Sequence, residues 1–332
     1  KNIIVQIITD TGNIGYGSAA PTEVITGDTI GSIIGAIQHI KKNILGLDIE
    51  NFEEVMLKLN GCIVGNTSAK AAVDIALYDL YGQLYNAPLY KLLGGYRKEI
   101  ISDITISVNE PDEMVKDSLE AVEMGYRILK IKVGKDSKKD LERIKAIGKA
   151  IGGKITLRLD ANQGWNPKEA VNIIKKIEDL DLNIELIEQP VKACDFEGLK
   201  YVTDNVSLPI LADESIFSPK DAMRIINMRA ADLLNIKLMK TGGIYNALKI
   251  VALAETAGVE CMIGSMMESS IGVTAAAHLA AAKGVITKVD LDVPMLCKEN
   301  PVEGGAIFDK YKIDMTEKSG LGIEKIDGIE YV

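Results

Sequence analysis

The chain has 332 residues, more than one average domain, and its 47% hydrophobic and 26% charged residues are typical of a globular protein. Its formal net charge of −9 argues against nucleic acid or an anionic membrane as a partner, since both require a basic surface. No apolar stretch approaches the roughly 20 residues of a membrane span, and no secretory leader is recognisable.

The cysteines and histidines are too few and too scattered to form a metal site or a catalytic triad. The four cysteines lie far apart in the sequence, at Cys62, Cys194, Cys261 and Cys297. This pattern predicts four buried thiols in a reducing, cytoplasmic compartment. The only two histidines, His39 and His278, lie in apolar helical surroundings that indicate a structural role.

The first 98 residues predict an α+β module. The segment Ile3–Ile8 reads as a strand, and a short turn joins it to a second strand that ends near Tyr16. Three helical patterns follow, at residues 31–45, 49–59 and 68–85. Because the sequence starts almost directly on a strand, we expect further N-terminal structure to precede Lys1.

From residue 99 to residue 300, a unit of strand and helix recurs roughly every 25 residues. Eight strand-like segments are predicted, at residues 100–107, 128–132, 155–160, 184–188, 208–213, 233–237, 259–265 and 289–292. No helix-length pattern returns after Asp292. The repeat predicts an α/β fold, a (β/α)7β modified TIM barrel with residues 1–98 as its α+β capping domain. Residues 301–332 are expected to form a tail that rejoins the capping domain.

Three acidic residues, Asp160, Glu188 and Asp213, end three consecutive predicted strands. Neighbouring parallel strands lie about 4.8 Å apart, so these side chains can converge at the carboxyl edge of the barrel, where active sites form. Bare carboxylates would repel one another there, and a hard divalent cation such as Mg²⁺ removes that conflict. One such acid alone would more often cap a helix or pair with a lysine. Three in register favour a metal site.

Lysines end two other strands of the same predicted barrel. Lys130 and Lys132 alternate onto one face of their strand, and their like charges favour a neutral amine on one of them. Lys132 is therefore a candidate general base, and Lys237 lies four strands further round the ring. The alternative is that these lysines only neutralise the acids. Lys240 and Lys288 are predicted to be solvated charges.

Two further acids, Asp290 and Asp292, alternate onto one face of the last predicted strand. They lie away from the predicted metal side, which suits binding of a substrate ammonium group. A role in helix capping or solubility explains the spacing equally well.

The strings that carry these residues resemble the enolase superfamily, muconate-lactonising subgroup, over essentially the whole chain. They are Lys130-Ile-Lys132, Asp160-Ala-Asn-Gln-Gly-Trp165, Glu188-Gln-Pro190, Ala212-Asp-Glu-Ser215 and Asn235-Ile-Lys-Leu238. Three other segments resemble dipeptide epimerases of the L-Ala-D/L-Glu type: Asp290-Leu-Asp292, Gly264-Ser-Met-Met-Glu268 and Val24-Ile-Thr-Gly-Asp28.

The resemblance implies a 1,1-proton transfer at the α-carbon of the C-terminal residue of a dipeptide. One Mg²⁺ per subunit would bind the substrate carboxylate, and Lys132 and Lys237 would exchange the α-proton on opposite faces through an enediolate. Substrate contacts are implied at Lys130, Thr105, Ser265, Met267, Asp290 and Asp292. We also expect a homo-oligomer and a role in cell-wall peptide metabolism.

Two other functions remain open at this point. A cycloisomerase or an o-succinylbenzoate-synthase-type lyase of the same subgroup would use the same metal and lysines, but would not need Asp290 and Asp292. A binding protein without catalysis on an inherited barrel is disfavoured, because no residue on the barrel's rim has been neutralised.

Overall fold

The computed structural model describes residues 1–331, and the chain forms two compact units. The first unit comprises Lys1–Ile101, Ile236–Ala252 and the chain from Ile263 onward, and the second comprises Ser102–Asn235 and Leu253–Met262. Among the described residues, no helix is both long enough and apolar enough to cross a membrane. The domain limits at residues 98 and 300 stay predictions.

The first unit begins with an antiparallel hairpin, in which Ile8 pairs with Ile14. Its first elements agree with the predicted strands and helices within three residues: β1 Ile3–Ile8, β2 Ile14–Ala19, α1 Ile30–Ile44, α2 Phe52–Gly61 and α3 Thr67–Leu84. A short helix that was not predicted, α4 Leu89–Leu93, follows them. Helix α1 starts where Thr29 and Ser32 form a capping box, each side chain accepting from the other residue's N–H. Helix α3 is buried along most of its length.

The second unit supplies most of a sheet of eight strands, whose order is β11-β10-β9-β8-β7-β6-β5-β4. The strands are β4 Ile104–Ile106, β5 Ile128–Lys132, β6 Thr156–Asp160, β7 Ile184–Glu188, β8 Ile210–Ala212, β9 Leu233–Lys237, β10 Glu260–Gly264 and β11 Ile286–Asp290. Spatial order thus follows chain order, and the pairs from β4 to β9 are parallel. The predicted (β/α)7β barrel is confirmed.

Helices alternate with these strands. They are α5 Pro111–Glu123, α6 Ser137–Ile151, α7 Pro167–Glu178, α8 Phe196–Asn205, α9 Pro219–Met228, α10 Leu238–Thr241, α11 Ile244–Ala257 and α12 Ser270–Ala282. Short polar residues start several of them: the side chain of Asn166 accepts from the N–H of Glu169, and Ser218 accepts from Asp221. A proline follows each of these two caps at a position where its missing N–H does no harm.

The predicted first strand, residues 100–107, is wrong in part because it contains two strands. Strand β3 (Glu99–Ile101) pairs with β14 (Lys312–Asp314) in a separate three-stranded sheet, and only β4 joins the barrel sheet. Between them Asp103 is fully buried, and its carboxylate lies 2.7 Å from Arg158 Nη1. A buried ion pair at this point favours a break in the strand over a continuous ladder.

After the barrel strands the chain continues through short elements of the first unit. These are α13 Val293–Leu296, β12 Val302–Gly304, β13 Ile307–Asp309, β14 Lys312–Asp314 and β15 Ile323–Ile326. The carboxylate of Asp79 in α3 accepts hydrogen bonds from the N–H groups of Tyr16 (3.0 Å) and Leu321 (2.8 Å). Gly320 has a φ of 65°, and a Cβ there would stand 2.5 Å from the backbone oxygen of Asp79. Asp79 therefore helps to anchor the C-terminal segment to α3, together with the backbone hydrogen bonds of Gly320 with Ala87 and Leu89.

We expect Asp79→Ala to lower the free energy of unfolding by about 3 kcal/mol, because two N–H groups lose their acceptor in a buried place. Asp79→Asn keeps one acceptor oxygen and should lose less. Urea unfolding measures both, with the exposed Asp10→Ala as the control. A loss for Asp79→Ala no larger than that of the control would contradict the anchoring role.

His278 has the structural role predicted for it. The ring is fully buried, and its Nδ1 accepts from the N–H of Tyr90 at 3.1 Å. Burial lowers the pKa of His278 to about 3. His278 is therefore neutral in the folded protein near neutral pH. In the unfolded chain, the same residue binds a proton near pH 6.5.

This histidine should make stability depend on pH in a defined direction. Its contribution is fully present above about pH 6.5 and is lost as the pH falls towards 3, since only the unfolded state binds the proton. We expect urea unfolding to show a smaller decrease in stability between pH 7 and pH 5 for His278→Gln than for the wild type. The exposed His39→Gln should keep the wild-type pH dependence.

Candidate active site

The three predicted acids lie at neighbouring strand ends of the second unit. Asp160 and Glu188 are the last residues of β6 and β7 and pair in register, and Asp213 directly follows β8. Their exposed fractions are 0%, 0% and 1%. Carboxylates are almost never buried to this degree without cationic partners, so this cluster requires positive charge.

Two lysines supply part of that charge. Lys130 Nζ lies 3.1 Å from Asp160 Oδ2 and 2.7 Å from Glu188 Oε2, and its side chain is 1% exposed. Lys132 Nζ lies 2.6 Å from the same Asp160 oxygen and 3.0 Å from Asn162 Oδ1. The Lys132 side chain is 27% exposed, so it is the lysine that a solvent-borne molecule can reach.

The residues fit a divalent cation by the chemistry of their donors. In the second unit, four buried carboxyl groups lie at or just beyond the ends of the neighbouring strands β6, β7 and β8: those of Asp160, Glu188, Asp213 and Glu214. All the negative donors are oxygens, which hard ions such as Mg²⁺ prefer. Within the described chain, no three such side chains are already arranged as one ion's ligands. In this structure the lysine ammoniums lie against Asp160 and Glu188.

Amide side chains orient the acids. Asn235 Nδ2 donates to Glu188 Oε1 at 2.8 Å, and Gln189 Oε1 accepts from the N–H groups of Asp213 (2.8 Å) and Ser215 (3.2 Å). The backbone N–H of Asn162 also donates to Asp160 Oδ1, at 2.9 Å. The sequence-based argument missed Asn235 and Gln189, although both lie inside strings quoted for the resemblance.

A cleft of about 420 Å³ opens beside Lys132. Its lining residues follow the first three barrel strands: Ser107, Val108, Lys132, Val133, Gly134, Lys135, Ala161 and Asn162. Thr105, another predicted contact, lies on β4 in register with Lys130. The exposed side of Lys132 therefore faces a space that can hold a small molecule.

The other predicted residues belong to the first unit. Lys237 ends β9 and is 7% exposed, Ser265 directly follows β10, and Met267 is 67% exposed. Asp290 ends β11 and is 7% exposed, and Asp292 is 5% exposed. Asp292 lies beyond the strand with helical φ and ψ angles, just before α13, so its predicted place on the strand is wrong. That short helix begins at Val293 and has Pro294 in its first turn.

Two other expectations are also wrong. Lys240, predicted to be solvated, is 0% exposed because it lies in the short buried helix α10. Of the four cysteines, Cys194 and Cys297 are exposed and Cys62 is half-buried, so only Cys261 is a buried thiol. Both errors arise because the spacing of residues in the sequence does not show which segments are covered by other parts of the fold.

The fold and this cluster define the class of the protein. Residues 1–94 match the mandelate racemase / muconate lactonizing enzyme N-terminal domain, and residues 113–327 match the enolase C-terminal domain-like family. The chain therefore belongs to the mandelate racemase and muconate lactonizing enzyme family, with an enolase-like C-terminal domain.

Several individual relatives within this family are epimerases. An L-Ala-D/L-Glu epimerase of Clostridium acetobutylicum is 62% identical over 98% of this chain and 92% of its own length. The substrate-liganded structure of the Bacillus subtilis L-Ala-D/L-Glu epimerase is 50% identical, with a TM-score of 0.96 over 97% of this chain and 90% of that one. The Enterococcus faecalis dipeptide epimerase, complexed with Mg and L-Leu-L-Tyr, is 47% identical, with a TM-score of 0.95 over 98% and 92%.

Proposed function

We propose that this protein is a Mg²⁺-dependent dipeptide epimerase, an isomerase that inverts the α-carbon of the C-terminal residue of a dipeptide. The observation that carries the proposal is the similarity over nearly the whole chain to epimerases of that name, together with the paired lysines and buried acids. The magnesium complexes of related epimerases support the choice of metal.

Proton transfer at the α-carbon is assigned to Lys132 and Lys237. They end β5 and β9, which are four positions apart in the strand order of the eight-stranded sheet. In a two-base reaction one lysine removes the α-proton as an amine, and the other donates a proton to the opposite face as an ammonium. The reverse direction exchanges these roles.

Asp160, Glu188 and Asp213 would hold the cation. When bound, Mg²⁺ supplies positive charge to the substrate carboxylate, which favours release of the neighbouring α-proton. Lys130, fixed between Asp160 and Glu188, adds a buried positive charge to this part of the second unit. Its restricted side chain suits a stationary charge, whereas the partly exposed Lys132 suits a base.

The substrate type is proposed to be L-Ala-D/L-Glu. The relatives with 62% and 50% identity are epimerases of that name, whereas the Enterococcus faecalis relative is a hydrophobic dipeptide epimerase. The test is a dipeptide library incubated with enzyme and Mg²⁺ in heavy water. A substrate gains one mass unit by α-deuterium uptake and yields its epimer. If none of the dipeptides in the library takes up deuterium, the proposed function is refuted.

The alternative, a cycloisomerase or o-succinylbenzoate-synthase-type lyase, is less well supported. Asp290 and Asp292 are both more than nine-tenths buried, and an apolar acid substrate does not need this pair. In the proposed epimerase they bind the α-ammonium group of the dipeptide, and Thr105, Ser265 and Met267 contact the rest of the substrate. A homo-oligomeric state, a cytoplasmic location and a role in cell-wall peptide metabolism stay predictions.

We expect Asp292→Asn to raise KM for a free dipeptide by about tenfold or more, since a hydrogen bond to a charged group contributes roughly 1.5–3 kcal/mol. N-acetylation of the dipeptide removes the ammonium charge, so the variant should affect acetylated substrates less. Steady-state kinetics on both forms measures the difference. An equal loss on both would remove the ammonium-binding role.

A further inference from the structure

Glu268 is a buried acid that the proposed reaction does not use. It lies in the segment after β10 and is 3% exposed. Its Oε1 accepts from the N–H of Met266 at 2.9 Å, whereas its Oε2 has no hydrogen-bond partner among the described residues. A buried carboxylate oxygen without a donor is costly to charge, so this group is poised to change its protonation state.

The space around Oε2 is bordered by a glycine and a serine of the same unit. A Cβ built on Gly272 would stand 2.3 Å from Glu268 Oε2 and 3.1 Å from Ser18 Oγ. The Ser18 hydroxyl is also buried and has no hydrogen-bond partner in the described chain. Glycine at position 272 therefore leaves room for the carboxyl group, and no fixed donor holds Oε2 in the charged form.

Lys237 is the cation at the end of the neighbouring strand: it ends β9, which lies beside β10 in the sheet, and Glu268 follows the last residue of β10, Gly264, by four positions. Burial raises the pKa of Glu268 to about 7, against the opposing effects of the Met266 hydrogen bond and of the Lys237 charge. Within the described residues, Lys237 is the one charged side chain among the groups that shift this pKa. Lys237 is itself 7% exposed, so water and salt screen its charge only weakly from other buried groups of this unit.

We propose that Glu268 is a positioning residue for Lys237, and that the charge on its carboxyl group sets how readily the Lys237 ammonium releases its proton. The inference rests on the proposed function, in which Lys237 is a base in one direction and an acid in the other. An anionic Glu268 retains the proton on Lys237, and a neutral Glu268 favours the amine. Glu268 thus adjusts one of the two bases without touching the substrate.

In the test, each of the two lysines is studied in a variant that lacks the other one. In Lys132→Ala only Lys237 can exchange the substrate α-proton with solvent deuterium, so the pH dependence of that exchange reports on Lys237. Glu268→Gln, added to this background, keeps an oxygen for the Met266 N–H but carries no charge. We expect the midpoint of the pH dependence of exchange to lie about one pH unit lower in the double variant than in Lys132→Ala alone.

The matched control compares Lys237→Ala with and without Glu268→Gln. In this background exchange reports on Lys132, and the midpoint of its pH dependence should not move. Glu268→Asp, which restores the charge, should return part of the shift in the first background. Equal midpoints for Lys132→Ala with and without Glu268→Gln would overturn the inference. A shift of the same size in the Lys237→Ala background would overturn it too, because the effect would then be general.

A second measurement covers the case in which the single-lysine variants exchange too slowly. The magnesium-loaded Glu268→Gln enzyme should show its pH profile of kcat/KM for inversion displaced to lower pH, equally for both epimers because their equilibrium is fixed. An unchanged profile overturns the inference but leaves the epimerase assignment intact. Absence of α-deuterium uptake by the wild-type enzyme with every dipeptide instead refutes the proposed function, and the inference with it.

Discussion

Lys132→Ala and Lys237→Ala are each expected to lower the rate of epimerisation by at least about 10³-fold, because inversion needs a base on one face and an acid on the other. Each variant keeps one lysine, so each should still exchange the α-proton of a single stereoisomer with solvent. Mass spectrometry in heavy water, combined with chiral separation, distinguishes exchange from inversion. Opposite stereoisomers should exchange in the two variants.

The control for this pair is Lys145→Ala, which removes an exposed lysine of α6 and should leave both rates unchanged. Retention of full epimerase activity by either Lys132→Ala or Lys237→Ala would refute the two-base scheme. Exchange of the same stereoisomer in both variants would show that the two lysines act on one face.

Glu188→Gln is expected to weaken Mg²⁺ binding by at least about 100-fold, since even residues that only orient a metal ligand contribute 10–100-fold. Epimerisation should fall by about 10³-fold, because charge stabilisation by a metal contributes several kcal/mol to the transition state. Glutamine keeps an oxygen for Asn235 Nδ2, which donates to Glu188 Oε1 at 2.8 Å, but its amide nitrogen replaces the oxygen that lies 2.7 Å from Lys130 Nζ. Urea unfolding of the variant therefore accompanies the binding measurement, to separate lost metal affinity from lost stability. Calorimetric titration with Mg²⁺ measures binding independently of activity.

Glu197→Gln is the matched control, because it removes the same charge from an exposed position on α8. Its Mg²⁺ affinity and activity should equal those of the wild type. Unchanged Mg²⁺ binding by Glu188→Gln would exclude Glu188 as a ligand, and the buried acids would then serve only as partners of Lys130 and Lys132.

The barrel was predictable from the sequence because its signal is local and repeated. Apolar strands of similar length recur at a nearly constant interval, and three of them, β5, β7 and β9, begin and end at the predicted residues. A strand's last residue must lie at the carboxyl edge of a parallel sheet, whatever the loops do. The placement of Lys132, Asp160 and Glu188 at strand ends follows from that rule.

The features that could not be predicted depend on contacts between residues far apart in the sequence. Burial of Lys240 and Glu268 depends on which parts of the fold cover the segments that contain them. The orientation of Asp213 depends on the side chain of Gln189, which comes from the end of a different strand. The break before β4 likewise follows from the pairing of Asp103 with Arg158. Hydrophobic periodicity carries no information on such polar contacts.

The position of Asp79 also has a consequence for the order of folding. Its carboxylate joins the N–H of Tyr16, near the start of the chain, to that of Leu321, near its end. The hairpin and α3 are close together in the sequence, whereas Leu321 lies 242 residues beyond Asp79. Because closing so long a loop costs conformational entropy, we expect this contact to form late in folding.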